Sequence, residues 1–170
     1  MSIEIYKSEE VIQEKVKELA KKINDHYGDE PVVLLAILKG SFVFCADLMR
    51  HLTMPTTVEF MSISSYGSST ESSGKIRIEL DVRHSIAGKR VLLVEDIVDT
   101  GNSLYTVLKT LSARNPKSVD IVTMLSKPSR RGKEVPVRFT GFIIPDEFVV
   151  GYGMDYAEKY RNLPYIGILK

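Results

Sequence analysis

Apolar and polar positions follow three different rhythms along this chain, and each rhythm assigns an element. After Ser8, Glu9 and Glu10, apolar residues recur at Val11, Ile12, Val16, Leu19, Ala20 and Ile23 until Gly28. That spacing is one face of an α-helix, with Ser8 as N-cap and two acids complementing the first turn. Pro31 then introduces VVLLAIL (32–38), an unbroken run rich in branched residues that suits a strand buried on both faces of a parallel sheet. LKGS (38–41) breaks it. FVFCADLMRHL (42–52) reads as a second helix and TTVEFMSISS (56–65) as a strand. SYGSSTESSG (65–74) offers nothing to a core and reads as a mobile loop.

The second half repeats the alternation. KIRIELDV (75–82) changes polarity at every other residue, as a half-exposed strand does, and Gly88-Lys89 punctuates the approach to the strand VLLVE (91–95). SLYTVLKTLSARN (103–115) places Leu104, Val107, Leu108 and Leu111 on one helix face, and SVDIVTMLS (118–126) returns to strand character, giving a crossover unit. VRFTGFII, EFVVGYGMDY and PYIGILK read as shorter strands and turns around Pro145, Gly151 and Gly153. No longer period repeats. The expectation is an α/β fold: an open, mostly parallel twisted sheet with helices on both faces.

Composition narrows the function classes. A chain of 170 residues fits one domain, and 44% hydrophobic with 26% charged residues is ordinary for a soluble globular protein. Lys plus Arg (23) balance Asp plus Glu (22), so bulk charge argues for neither nucleic acid nor membrane. Cys45 is the single cysteine and reads as a buried structural thiol. The first residues lack the pattern of a secretory signal, and the longest apolar stretch is cut at Lys39-Gly40, well short of the roughly 20 residues that span a bilayer. The expected location is the cytoplasm.

The chemistry concentrates in VLLVEDIVDTGNSL (91–104), where Glu95, Asp96 and Asp99 crowd three carboxylates into five positions. Carboxylates that close repel one another and resist burial, so a cation or a hydroxyl-rich ligand should receive them. In open α/β sheets ligands sit at the carboxyl ends of the strands, where helix N-termini aim N–H groups outward. Thr100, Gly101, Asn102 and Ser103 make a small hydroxyl-bearing turn into the next helix, which suits a phosphate. A ribose 5-phosphate satisfies both ends. The plainer alternative has Asp99 capping the helix and Glu95 and Asp96 solvated.

Other motifs fall away. GSSTESSGKI spaces its glycines wrongly for a P-loop and follows Lys75 with Ile76, and VGYGMDY has Tyr156 where a dinucleotide fingerprint needs its third glycine. His26, His51 and His84 are scattered, without cysteine partners for zinc. Lys127, Arg130, Arg131 and Lys133 form a basic cluster, either a solvated turn or an aid to pyrophosphate or RNA.

EDIVDTGNSL resembles the phosphoribosyl-pyrophosphate (PRPP) motif of type I phosphoribosyltransferases. The resemblance to their hypoxanthine-guanine branch extends over nearly the whole chain, through LKGS (38–41), SY (65–66), SK (126–127) and FVVGYGMDY (148–156) in the same order. It implies one domain over 1–170, with a small hood built from the N-terminal segment and about 127–170. It also implies transfer of 5-phosphoribosyl from PRPP to N9 of hypoxanthine or guanine, with Mg²⁺ present and pyrophosphate released.

The resemblance assigns roles as well. Asp99 is the general acid/base near the purine N7. Glu95 and Asp96 hold the ribose hydroxyls, partly through metal, and Thr100, Gly101, Asn102, Ser103 and Leu104 cradle the 5-phosphate. Asn102 departs from relatives with Lys there, so this phosphate must lean on backbone donors and helix polarity. Lys39 and Gly40 belong to the pyrophosphate loop, which often carries a non-proline cis peptide before the Lys, and Arg161 reaches pyrophosphate. Lys127 donates to the purine 6-oxo group, which favours oxopurines over adenine. Phe148 stacks on the base, Val149 meets its edge, and Asp155 is a metal-associated carboxylate in the purine site. Ser65 and Tyr66 tip a lid over about 65–74 that excludes water.

Implied partners are PRPP, an oxopurine and further copies of the chain, as a dimer or tetramer, with neither nucleic acid nor membrane. Taken singly, a Lys or Arg beside Pro or Gly is usually solvated, and a Phe beside Val-Val is usually core. The rival reading is a PRPP-sensing regulator of the same fold that binds nucleic acid, though such proteins usually need an added basic domain or a broad positive face.

Overall fold

The structure, a computed structural model, describes residues 1–65 and 76–170. A six-stranded sheet forms its centre. In chain order the elements are β1 (Ile3–Lys7), α1 (Glu9–Tyr27), β2 (Val32–Leu38), α2 (Phe42–Met49), β3 (Thr56–Ser65), β4 (Ile76–Leu80), β5 (Arg90–Val98), α3 (Asn102–Ser112), β6 (Ser118–Ser126), β7 (Phe139–Ile143), β8 (Val149–Val150) and β9 (Ile166–Leu169), with a 3₁₀ turn at Pro128–Arg130. The large sheet runs β4-β3-β2-β5-β6-β7, parallel throughout except for the antiparallel β3–β4 pair.

The unbroken apolar run of β2 has its expected cause. Val32, Leu34 and Ala36 face a core shared with α1 and α2, while Val33, Leu35 and Ile37 face a second core shared with α3. A strand covered on both sides has no face left for polar residues. Each fully buried Leu or Ile contributes roughly 1.5–3 kcal/mol, so both layers hold the helices against the sheet. Cys45 lies in the first core, and burial pushes its thiol up to about 11.

Helix α1 starts and stops where its caps dictate. Ser8 Oγ accepts from the Val11 N–H at 3.2 Å, and Gly28 closes the C-terminus at φ 61°. Val11, counted with the apolar face, is exposed. Helix α2 ends at Met49, three residues before the expected Leu52, and α3 runs from Asn102 to Ser112, ending before the expected Asn115. Strand β5 extends three residues beyond the expected Glu95, which puts Glu95 and Asp96 on the strand and leaves Asp99 just past it.

A three-stranded sheet, β1-β9-β8, joins the two ends of the chain beside the large sheet. Ile3 pairs with Leu169 and Val149 with Ile168, all antiparallel. The segment Ile3–Lys7 carried no strand expectation; its alternation is too short to register before its partner at the other end of the chain is known. Ser65 is the last residue of β3 and pairs with Ile76, while Tyr66 and the rest of the expected lid up to Gly74 lie outside the described residues.

Candidate active site

A cleft of about 380 Å³ opens at the carboxyl end of β5, between the turn after β2 and the segment following β6. Three chain segments meet there through glycines. A Cβ on Gly40 would collide with the Asp96 carboxyl group, and one on Gly153 would press on the Gly40 carbonyl. The Leu38–Lys39 peptide is cis. These contacts bring the 38–41 turn against the Asp96 carboxyl group at the end of β5 on one side and against the backbone of the 151–155 turn on the other.

The acids are differently held. Burial first, then the Asp96 charge, pushes Glu95 well above the usual carboxylate range, and burial raises Asp96 against the Ile97 N–H that donates to its Oδ1 at 2.8 Å. Neither is a freely solvated carboxylate, so that plainer alternative fails. Asp99 does not cap α3 either, since the N-cap is Gly101 at φ 81° with no side-chain capping bond. The Asp99 carboxylate instead accepts from Arg130 Nε at 3.1 Å.

Two cations face one another across the turn from β2. Lys39 Nζ lies 3.1 Å from Glu158 Oε2, and Arg161 Nη2 is 3.2 Å from Glu158 Oε1 and 3.4 Å from Asp155 Oδ1. Arg161 Nη1 donates to the Gly153 carbonyl at 2.8 Å. Its Nε is the one buried side-chain polar atom without a hydrogen-bond partner among the described residues, a donor waiting for an acceptor.

On the other wall, Lys127 is only 6% exposed, with Nζ 3.4 Å from Asp146 Oδ1, so it is no solvated surface lysine. Phe148 is 52% exposed and lies at right angles to Tyr156 with ring centroids 5.7 Å apart, so it is no core ring and has surface to offer a planar ligand. Val149 lies beside it in the lining.

The cleft thus unites Lys39, Gly40, Asp96, Asp99, Lys127, Phe148, Val149, Asp155 and Arg161. Glu95 sits one residue back on β5, outside the lining. Thr100, Gly101, Asn102 and Ser103 form the adjoining turn and first turn of α3, and Leu104 turns its side chain into the second core, leaving only its backbone for a ligand. Ile97 and Met154, unforeseen in the sequence, complete the lining.

Arg130, Asp146 and Glu158, the ion-pair partners of Asp99, Lys127 and Lys39, were also missed. Only Arg130 left a signal, as part of the basic cluster. A cleft of about 390 Å³ lies at the opposite end of the strands, where Arg90 and Lys117 both pair with Glu30. No group of three His, Cys, Asp or Glu side chains among the described residues is arranged to hold a metal unaided.

Comparison with known proteins gives a consistent picture. The sequence profile of a family described as a phosphoribosyl transferase domain matches residues 2–157. The hypoxanthine phosphoribosyltransferase of Salmonella typhimurium is 49% identical over 168 residues, covering 98% of this chain and 94% of that protein. A crystal structure of a hypoxanthine-guanine phosphoribosyltransferase from Bacillus anthracis, with HEPES in its active site, superposes with a TM-score of 0.96 at 47% identity, covering 99% of this chain and 100% of that one. The Trypanosoma cruzi hypoxanthine phosphoribosyl transferase, described for the role of its C-terminal region in oligomeric state and enzymatic activity, superposes with a TM-score of 0.94 at 42% identity, covering 98% and 91%.

Proposed function

Because the chain belongs to the phosphoribosyl transferase family, we propose that it is a purine salvage enzyme that moves the 5-phosphoribosyl group of PRPP to N9 of hypoxanthine or guanine. The products are the purine nucleotide and pyrophosphate. The observation that carries this reading is the convergence, in one cleft, of a carboxylate at Asp99, a buried ammonium at Lys127, an exposed ring at Phe148 and the cations Lys39 and Arg161. Each answers one demand of the reaction.

As the C1–oxygen bond to pyrophosphate breaks, the electron pair leaves with the pyrophosphate and C1 becomes electron-poor. Lys39 and the unpartnered Nε of Arg161 are suited to the leaving charge. The purine ring, stacked on Phe148 with Lys127 donating to its 6-oxo group, presents N9 to C1. The new C–N bond uses the N9 lone pair, and the purine's ring proton passes to the Asp99 carboxylate. The 2- and 3-hydroxyls donate to Glu95 and Asp96, whose buried charge they offset, and the 5-phosphate rests at 100–104.

The donor chemistry also fits Mg²⁺: Glu95, Asp96 and Asp155 offer hard carboxylate oxygens, too few for a protein-only cage but suited to an ion that keeps water and substrate oxygens. When bound, it supplies further neutralisation of pyrophosphate. The same reading carries a single catalytic unit over 1–170, a lid at 65–74 with Ser65 and Tyr66 at its tip, a cytoplasmic location and a homo-oligomer. For location, the structure offers that no helix among the described residues is long and apolar enough to cross a membrane. For assembly, support comes from the Trypanosoma cruzi relative described for its oligomeric state.

The test is purine-dependent release of pyrophosphate from PRPP, with and without Mg²⁺, supplying hypoxanthine, guanine or adenine. Turnover with the two oxopurines bears the reading out. Its absence with every oxopurine leaves a PRPP-binding regulator in its place.

A further inference from the structure

The phosphate turn is gripped from behind by the segment that follows the 3₁₀ turn. Arg131 Nη1 donates to the Asp99 carbonyl oxygen at 2.7 Å, and its Nη2 donates to Ser126 Oγ, itself buried, at 2.8 Å. The next carbonyl, that of Thr100, accepts from the Gly132 N–H at 2.8 Å and the Lys133 N–H at 3.1 Å. Contact is close along this seam. A Cβ on Gly101 would lie 2.7 Å from the Lys133 carbonyl oxygen and one on Gly132 3.3 Å from Asn102 Oδ1.

Peptide planarity turns this grip into an orientation. In a trans peptide the C=O and the following N–H point in opposite directions. Tying down the Asp99 carbonyl therefore turns the Thr100 N–H away from residues 131–133, and tying down the Thr100 carbonyl does the same for the Gly101 N–H. Neither of these N–H groups has an acceptor among the described residues. Two adjacent donors are left aimed outward beside the cleft, which is the form of an anion-binding nest.

The turn also lacks a cation of its own, since residues 99–104 read Asp-Thr-Gly-Asn-Ser-Leu. Whatever holds a phosphate there must be largely backbone, and backbone donors work only when their direction is fixed beforehand. Two of the three carbonyl anchors come from main-chain N–H groups that no substitution short of proline removes. Arg131 supplies the third, and it is the only one carried by a side chain.

We propose that Arg131 is a positioning residue for the 5-phosphate: it touches no substrate, and it acts by fixing the Asp99 carbonyl so that the Thr100 and Gly101 N–H groups meet the phosphate. This rests on the phosphoribosyl reading of the cleft. It sets Arg131 apart from Arg130, whose guanidinium goes to the Asp99 carboxylate instead.

The test compares the binding of inosine 5′-monophosphate and inosine, by calorimetry or as competitive inhibitors, in the wild type, Arg131→Lys, Arg131→Gln and Ser126→Ala. Losing a charged hydrogen bond gives roughly a 10-fold loss or more, so Arg131→Gln should weaken nucleotide binding by about that factor and leave the nucleoside unchanged. The KM for PRPP should rise in parallel while the KM for the purine holds. Arg131→Lys, which can reach one acceptor but not both, should recover part of the loss. Ser126→Ala, which frees only Nη2, should show a smaller loss in the same direction.

An equal loss for nucleotide and nucleoside, or an unchanged ratio, overturns the role of Arg131. Should Arg131→Gln fail to fold, an unchanged ratio in Ser126→Ala overturns it alone. A wild type that binds nucleotide no better than nucleoside overturns the phosphate turn itself, and the phosphoribosyl reading with it.

Discussion

Arg130 Nε lies 3.1 Å from Asp99 Oδ1, so the carboxylate assigned to the purine proton is held by a cation before any substrate arrives. Both side chains are nearly half exposed, and ion pairs in that setting contribute ~0.2–1 kcal/mol. A purine can displace such a partner readily. We expect Asp99→Asn to lose ~10²–10⁴ in kcat, the usual contribution of a positioned acid or base, while still binding PRPP. Arg130→Gln should change kcat/KM by less than about fivefold. Steady-state rates with a separate PRPP titration check both, and an undiminished kcat in Asp99→Asn removes Asp99 from its role.

Lys127 is expected to decide which purines are accepted. Its ammonium is buried, so it donates in a poorly screened setting, and Asp146 at 3.4 Å keeps it oriented. Lys127→Met preserves the volume and removes the donor. A hydrogen bond to a charged group contributes ~1.5–3 kcal/mol, so kcat/KM for hypoxanthine and guanine should fall by roughly 10- to 150-fold, with little change for adenine, whose 6-amino group never accepted from it. Parallel measurement with the three bases checks this; an equal fall for all three would assign Lys127 to the fold rather than to recognition.

These two cases also mark how far the sequence could be read. The parallel sheet was legible because VVLLAIL is apolar at every position, which only a doubly covered strand explains, and α1 because Ser8 and Gly28 bracket its periodic face. The lengths of α2 and α3 were overestimated, since apolar residues such as Leu52 continue the helical spacing after the backbone has turned.

Among site residues, Asp99, Asp96 and Lys127 stood out by motif. Of the ion-pair partners in the cleft, Arg130 showed only as part of a basic cluster, and Asp146 and Glu158 not at all, because an ion pair spanning 119 residues, as between Lys39 and Glu158, leaves no local pattern. Nor did β1, whose pairing with β9 depends on the two chain ends meeting. What the chain encodes locally is the element and the motif; what completes the cleft is contact between segments.

Glu95 should reveal its functional cost through pH. Burial, and then the charge of Asp96, raises it well above 4.5, its ordinary value. A carboxyl group that holds its proton more tightly when folded does not oppose folding below its unfolded pKa; as pH rises from there toward the folded pKa, ionisation increasingly favours the unfolded chain. Glu95→Gln removes that charge. We expect its midpoint of thermal unfolding, without ligand, to exceed that of the wild type at pH 8 and to match it at pH 4, while its affinity for PRPP falls. Such a trade of stability for function is common at active sites. A midpoint below the wild type at pH 8 would mean that Glu95 is held by partners rather than strained by burial.

Tyr152 ties the 151–155 turn to helix α2. Its hydroxyl donates to Asp47 Oδ2 at 2.6 Å, the same oxygen that accepts from Gln13 Nε2 at 3.0 Å, while Arg50 Nη2 reaches Asp47 Oδ1 at 2.6 Å. One carboxylate on α2 thus ties α1 to the turn that leads into Asp155. Burial and the Asp47 hydrogen bond both raise the Tyr152 phenol above its ordinary range, so it remains a donor. Tyr152→Phe leaves Asp47 two partners, so the loss should be a single net hydrogen bond, ~0.5–1.5 kcal/mol, seen as a fall of roughly 1–6 °C in the unfolding midpoint for a chain of this size. Asp47→Ala should cost more, because it strands a buried phenol with no acceptor. In both, the KM for PRPP should rise more than the KM for the purine, since the turn that loosens leads to Arg161, whose Nη1 donates to the Gly153 carbonyl, whereas Lys127 stands just past β6. Equal rises in both KM values would make the Asp47–Tyr152 contact a matter of stability alone.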